Sequence, residues 1–256
     1  MSSTMAQRPP RWLVHKTRHP DAPIDLYCFP HAGGSPGEYV RWADGLPHVQ
    51  VWGVQLPGRG SRMAEAAITR MPALVEQVLE GIDFGKRFAL FGHSLGSLVA
   101  FEVARGLQAR GRPLPRRLLV SSVPAPSRLS HRSPALHTLP DGELLDQVQA
   151  LWGAFPEAVT ARPDLLRVTL ASFRDDLALF ENYTYLPGEP LQCPVTAFAG
   201  SQEPEAIRDL RGWRAHTAGG FAAHLLPGYH FYHREQRPEL LRLIADTLRQ
   251  DGDTTS

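Results

Sequence analysis

The chain reads as an α/β domain: a mostly parallel central sheet flanked by helices, with an all-helical segment inserted past its middle. Three observations predict this. Apolar strand-like runs alternate with helix-period stretches from residue 12 to 123, the pattern of a parallel sheet covered on both faces. From Pro124 to about Pro190 only helical periodicity is found, and beyond it the alternation resumes. At 256 residues the chain suits one such domain with an insertion and can bury a sizeable core.

Residues 1–11 carry Arg and Pro without an apolar run and read as a flexible tail. Trp12-Leu13-Val14 reads as an edge strand and Leu26-Tyr27-Cys28-Phe29 as a stronger one. That strand breaks into Pro30-His31-Ala32-Gly33-Gly34-Ser35, and a helix is expected from near Gly37. Val49 to Leu56 is the next strand. The loop after it, Pro57-Gly58-Arg59-Gly60-Ser61-Arg62, is rich in Gly and Arg but lacks the residue order of a phosphate-binding turn, so it reads as a structural loop near the rim of a site. Met71 to Ile82 has helical spacing, with Pro72 suited to a first turn. The apolar run Phe88 to Phe91 passes directly into helix-period residues at Leu95, Leu98, Val99, Val103 and Leu107. Arg117 to Val123 follows, and its continuous Leu118-Leu119-Val120 fits a fully buried parallel strand.

In the inserted segment, helices are expected over Leu139 to Trp152, around Phe155 to Val159, and over Pro163 to Tyr183, with Asp141 as the N-cap of the first. A segment inserted at this point sits over the carboxyl edge of the sheet and reads as a lid over residues 124–190. Trp152, Phe155, Leu166, Leu170, Phe173, Leu177 and Phe180 could line an apolar passage; lid-to-body packing is the role expected of most of them. The sheet resumes at Pro194 to Ala199 and ends in Gly200-Ser201-Gln202-Glu203-Pro204. A helix holding Leu210 and Trp213 comes next, then a last strand from Ala222 to Leu226, which ends in Pro227-Gly228-Tyr229-His230-Phe231. A closing helix from Arg237 to Arg249 and a polar tail over 250–256 finish the chain, so the core is expected to comprise 12–123 and 191–249.

The net charge of +1, with 21% charged residues, gives no strong field toward nucleic acid or an anionic membrane. Cys28 and Cys193 lack metal-ligand spacing and read as buried apolar thiols of a reducing compartment. No stretch has the pattern of a signal peptide or a bilayer span. The expectation is a soluble, cytoplasmic monomer with no metal or organic cofactor.

Chemistry concentrates at Gly92-His93-Ser94-Leu95-Gly96. In a G-x-S-x-G elbow the serine stands on a strained strand-to-helix turn, and the flanking glycines let strand and helix approach closely. The strand before Ser94 and the helix after it supply the context this motif requires. Serine attack on an acyl group needs a base, and a carboxylate that holds the base in the right tautomer. In an α/β-hydrolase fold these follow the nucleophile as acid and then histidine, on loops at the carboxyl ends of late strands. Of eleven histidines only His230 follows the last expected strand. Glu203 is the first carboxylate past Gly200, with Asp176, Asp175, Glu205 and Asp209 as alternatives. His93, His31 and His233 read as structural. The glycine-rich break after Phe29 leaves amide N–H groups at the sheet edge, and Ala32 and Leu95 are the expected oxyanion donors.

The motifs L-Y-C-F-P-H-A-G-G-S, Q-L-P-G-R-G, F-G-H-S-L-G, F-R-D-D-L-A-L-F-E-N-Y, P-V-T-A-F-A-G and G-Y-H-F-Y, in this order over residues 12–248, resemble a type II thioesterase. These are the stand-alone editing hydrolases of polyketide synthases and nonribosomal peptide synthetases. The resemblance implies an α/β-hydrolase fold with a helical lid, and removal of aberrant acyl groups from the phosphopantetheine arm of an acyl or peptidyl carrier protein. It also implies Ser94 and His230 as nucleophile and base, with Ala32 and Leu95 at the oxyanion hole. Two positions depart from the family pattern: Glu203 stands where aspartate is usual, and Tyr229 where a second glycine is usual. Two alternatives stand beside hydrolysis: transfer of the acyl group to an amine, alcohol or thiol, and a degenerate chain kept as a carrier-binding module.

Overall fold

In the computed structural model, residues 12–85, 87–130, 133–152, 155 and 157–253 are described. The tail expected over 1–11 lies outside them, as do 254–256.

A seven-stranded sheet forms the centre, ordered β1-β3-β2-β4-β5-β6-β7. The strands are β1 (Leu13–Val14), β2 (Ile24–Phe29), β3 (Val49–Val54), β4 (Phe88–His93), β5 (Arg117–Ser121), β6 (Val195–Gly200) and β7 (Phe221–Leu226). Only β1 runs antiparallel, pairing Leu13 with Val54 at the edge; all other neighbours are parallel. The central strands are nearly continuous apolar runs because both faces are covered. Along β4, Phe88 and Leu90 enter one core while Ala89 and Phe91 enter the other. In β5, Leu118 and Val120 part from Leu119 in the same way.

Nine helices flank or cover this sheet among the described residues: α1 (Pro36–Tyr39), α2 (Met71–Gly81), α3 (Leu95–Ala109), α4 (Asp141–Trp152), α5 (Glu157–Thr160), α6 (Pro163–Glu181), α7 (Glu205–Arg208), α8 (Tyr232–Glu235) and α9 (Arg237–Asp253). Leu74 and Val78 of α2 and Leu98 of α3 join the first core, with Trp213 from a three-ten turn over Leu210–His216. Tyr39, Trp42, Leu240 and Ile244 close the second, on the side of α1 and α9. Between β5 and β6 the described residues form helices and loops, apart from an isolated bridge of Leu191 to Thr217, and Leu144, Val148, Leu170, Phe173 and Leu177 form a third apolar cluster there, packed against Ala32.

Two local expectations are corrected. Asp141 is the first helical residue of α4, not its cap: the Pro140 carbonyl accepts the amide of Leu144 at 2.8 Å, and the Asp141 carboxylate instead meets Arg174 at 2.6 Å. The closing helix expected to end at Arg249 continues to Asp253; a run without Gly or Pro before Gly252 gives it no stop signal. Both cysteines are buried, Cys28 within β2 and Cys193 just ahead of β6, and burial pushes the Cys193 thiol up to about 12.

The turn from β4 into α3 admits no side chain on either flank. A Cβ on Gly92 would lie 2.2 Å from the carbonyl oxygen of Gly96, and one on Gly96 would lie 2.0 Å from that of Phe29. Backbone atoms on both sides cannot swing away. Alanine at either position is therefore expected to lower stability by about 3 kcal/mol or more. Urea unfolding of Gly92→Ala and Gly96→Ala measures this, and near-wild-type stability would show that strand and helix can separate at no cost.

Candidate active site

Ser94 joins β4 to α3 with φ 54° and ψ −121°, a conformation that L residues rarely hold. Its amide donates to the Ser121 carbonyl at 2.7 Å, which ties the elbow to β5. Ser97, fully buried one turn on, strengthens the tie. Its hydroxyl lies 2.8 Å from the Gly92 carbonyl oxygen and 3.0 Å from that of Ser121, and accepts the Ser121 amide at 2.9 Å. The Ser94 side chain makes no capping bond to α3, so its hydroxyl is not committed to the helix.

Opposite the elbow, Gly34 N–H bonds the His31 carbonyl at 2.8 Å and closes the turn after β2. Gly33, at φ 70°, gives its amide to Asp176 Oδ2 at 2.7 Å. The Ala32 amide has no acceptor among the described residues, and the Leu95 amide opens α3, where a helix offers no internal partner. Both residues border the same cavity as Ser94.

His230 follows β7 on a loop pressed against the end of β6. A Cβ on Gly200 would lie 2.4 Å from the Gly228 carbonyl oxygen and 2.5 Å from that of Tyr229. This close approach brings His230 Nδ1 within 2.9 Å of Glu203 Oε1. The acid is buried at 3% exposure, so the glutamate at this position reaches the histidine out of contact with solvent. Its other oxygen accepts the Gly200 amide at 2.8 Å and the Ser122 hydroxyl at 2.7 Å. Tyr229 needs no glycine: Gly228, at φ 119°, takes the unusual backbone, and the tyrosine is 69% exposed.

The cavity that Ser94 and His230 share measures about 350 Å³. One wall is apolar: Val148, Trp152, Phe155, Val159, Phe173, Leu177 and Phe180, all from between β5 and β6. Five of the seven residues expected chiefly to pack there therefore face the cavity; Leu166 and Leu170 pack within the third cluster as expected. A second concavity of about 440 Å³ shares no lining residue with it and carries Ser133, Glu143 and Asp146 but no histidine.

The alternative acids lie elsewhere. Asp176 accepts Gly33 N–H and forms a buried, bidentate pair with Arg59 from the loop after β3, through Nη1 at 2.6 Å and through Nη2. Thus Arg59 ties its loop to α6, a more specific role than rim structure. Asp175, beside it, has its carboxyl raised by partial burial and by the Asp176 charge. Asp209 pairs with Arg128 at the surface, and Glu205 opens α7. Ser97, Ser122 and the Asp176–Arg59 pair escaped the sequence reading, since serines and charges carry no periodicity and their partners lie far along the chain.

The neighbouring histidines are buried. His93 Nδ1 meets the Ser121 hydroxyl at 2.9 Å, and burial holds the ring neutral, well below its usual range. Burial likewise lowers His31 to about 3. Among the described residues, His31, Glu38 and His233 bring ligand-type atoms within 4.8 Å of one another. A cation there would meet Arg234, which already bonds both Glu38 oxygens at 2.8 and 3.1 Å. The donor set therefore fits an ion-pair cluster better than a metal.

A buried acid and histidine, the latter bordering one cavity with a serine on a G-x-S-x-G elbow in a mostly parallel sheet, define a serine hydrolase of the α/β-hydrolase fold. The model of the thioesterase domain matches residues 24–248, and this chain belongs to the thioesterase family. It is 37% identical over 242 residues to thioesterase PikA5 of Streptomyces venezuelae, covering 93% of this chain and 85% of that protein. Among solved structures, the type II thioesterase BorB from the borrelidin biosynthetic cluster superposes with a TM-score of 0.83 at 36% identity, covering 93% and 97% of the two chains. RedJ, the thioesterase of the prodiginine pathway in Streptomyces coelicolor, gives 0.79 at 36% identity, covering 94% and 91%. The chain is thus a type II thioesterase by family. Among the described residues, no helix is long and apolar enough to cross a membrane.

Removing Asp176 strands a buried guanidinium and frees the Gly33 amide. Asp176→Ala is expected to cost about 3–5 kcal/mol of stability and to lower kcat with it; urea unfolding and steady-state kinetics measure both. The histidines predict a pH effect. Unfolded, His31 and His93 protonate near 6.5; folded, His31 does so only near 3, and His93 also far lower. The unfolded chain binds more protons between these limits, so stability falls as pH drops below 6.5, by at most about 1.4 kcal/mol per pH unit for each histidine. The melting temperature is expected to be clearly lower at pH 5 than at pH 7, and an equal value at both would contradict neutral burial.

Proposed function

We propose that this enzyme hydrolyses short acyl thioesters on the phosphopantetheine arm of acyl or peptidyl carrier proteins, clearing aberrant or stalled groups from a biosynthetic assembly line. The observation that carries this reading is the Glu203–His230 hydrogen bond at 2.9 Å, beside a cavity that Ser94, Ala32 and Leu95 also line. His230 takes the Ser94 proton as Oγ attacks the thioester carbonyl, and Glu203 holds the ring tautomer and stabilises the imidazolium. The Ala32 and Leu95 amides receive the oxyanion of the tetrahedral intermediate. Collapse expels the pantetheine thiol, protonated by His230, and leaves an acyl-serine. Water activated by His230 then releases the acid and restores Ser94.

The helical segment over 124–190 acts as a lid, and its aromatic wall takes the acyl group. A cavity of about 350 Å³ suits a short acyl chain with the end of the arm. The enzyme works as a cytoplasmic monomer, which size-exclusion chromatography tests.

Acetyl- and propionyl-carrier proteins are the substrates to try first. Wild type is expected to release free acid, Ser94→Ala to lose at least about 1,000-fold in kcat, and Glu203→Ala at least about 100-fold. Acylation of Ser94 with no release until an amine or thiol is added would make the protein a transferase. No acylation at all would leave a binding module.

A further inference from the structure

Ser122 follows β5 with φ 52°, and among the described non-glycine residues only Ser94 shares a positive φ. A glycine would hold this backbone without strain, so serine here needs a compensating contact. Its surroundings supply one. The Ser122 amide donates to the Phe198 carbonyl at 2.9 Å, fixing the residue against the end of β6. Its hydroxyl donates to Glu203 Oε2 at 2.7 Å and lies 3.4 Å from the His230 carbonyl oxygen. Both side chains are out of water, at 2% and 3% exposure.

The geometry around Glu203 explains what that contact does. Glu203 N–H closes a turn onto the Gly200 carbonyl at 3.2 Å, and the side chain folds back so that Oε2 accepts the Gly200 amide at 2.8 Å. This fold-back takes up the methylene by which glutamate exceeds aspartate. Oε2 is then held by two donors on two different strand ends, Gly200 of β6 and Ser122 past β5. Only Oε1 is left to face His230 Nδ1. Without the hydroxyl, one amide alone would restrain a carboxylate with one more free torsion than aspartate has.

We infer that Ser122 is a positioning residue that locks Glu203 in the one rotamer from which a glutamate serves His230. The inference rests on the reading of Ser94, His230 and Glu203 as a triad. Ser122 touches neither substrate nor the reacting atoms and acts only through the acid.

Ser122→Ala and Ser122→Gly test it on the propionyl-carrier protein. Ser122→Gly removes the hydroxyl while relieving the backbone, so it should melt no lower than wild type. Both variants are expected to lose about 10-fold in kcat, with KM within about twofold. In a Glu203→Ala background, Ser122→Ala should cost nothing further in single-turnover acylation, as a double-mutant cycle requires of a residue acting through Glu203. Wild-type kcat in both Ser122 variants would overturn the inference, as would an equal loss with and without Glu203. Failure of the triad reading shows separately: Glu203→Ala alone would then keep wild-type kcat.

Discussion

The first turn of α3 lies against the carbonyl end of β2 with no side chain between them, and the site depends on that contact. Gly96 meets the Phe29 carbonyl at a distance that excludes even a methyl group. The approach places the Leu95 amide and the loop after Phe29 on one cavity, with Ser94 between them. It holds only because α3 is buried along its length, from Leu95 and Leu98 through Val103 to Leu107. Packing energy spread over four turns thus maintains the unfavourable dihedrals of one serine.

Polar contacts then fix what packing leaves adjustable. Asp176 gathers three N–H donors, two from Arg59 and one from Gly33, and so joins α6, the loop after β3 and the loop after β2 at one carboxylate. A buried ion pair is weak support for stability, because desolvation offsets much of the attraction. Its value here is geometric: it orients the Gly33 peptide, next to the Ala32 amide. Ser97 performs a similar task behind the elbow, joining β4 to β5 through buried hydroxyl contacts.

Local signals made the sheet, the helices and the chain order of Ser94, Glu203 and His230 legible. Strands such as Leu118-Leu119-Val120 declare themselves by continuous apolarity, and the elbow by glycines two residues either side of Ser94. His230 was readable because topology leaves one loop after the last strand. Contacts over long separations were not readable. The partner of Asp176 lies 117 residues away and that of Ser122 lies 81 away, and no periodicity links them. The aromatic wall was seen as a helix face, but which of its residues turn to the cavity depends on how α4 and α6 pack. Leu170 and Phe173 differ by three positions, and only the phenylalanine borders Ser94's cavity.

Gly228 absorbs the left-handed backbone of the loop that carries His230, and Tyr229 stands mostly in solvent. The side chain adjoining His230 in sequence therefore stands in solvent while His230 itself is buried. Substitution at position 229 can change the chemistry of the surface beside this loop, from bare backbone to a phenol, while His230 stays where it is. Surface chemistry and the placement of a buried histidine thus become separately tunable within three consecutive residues.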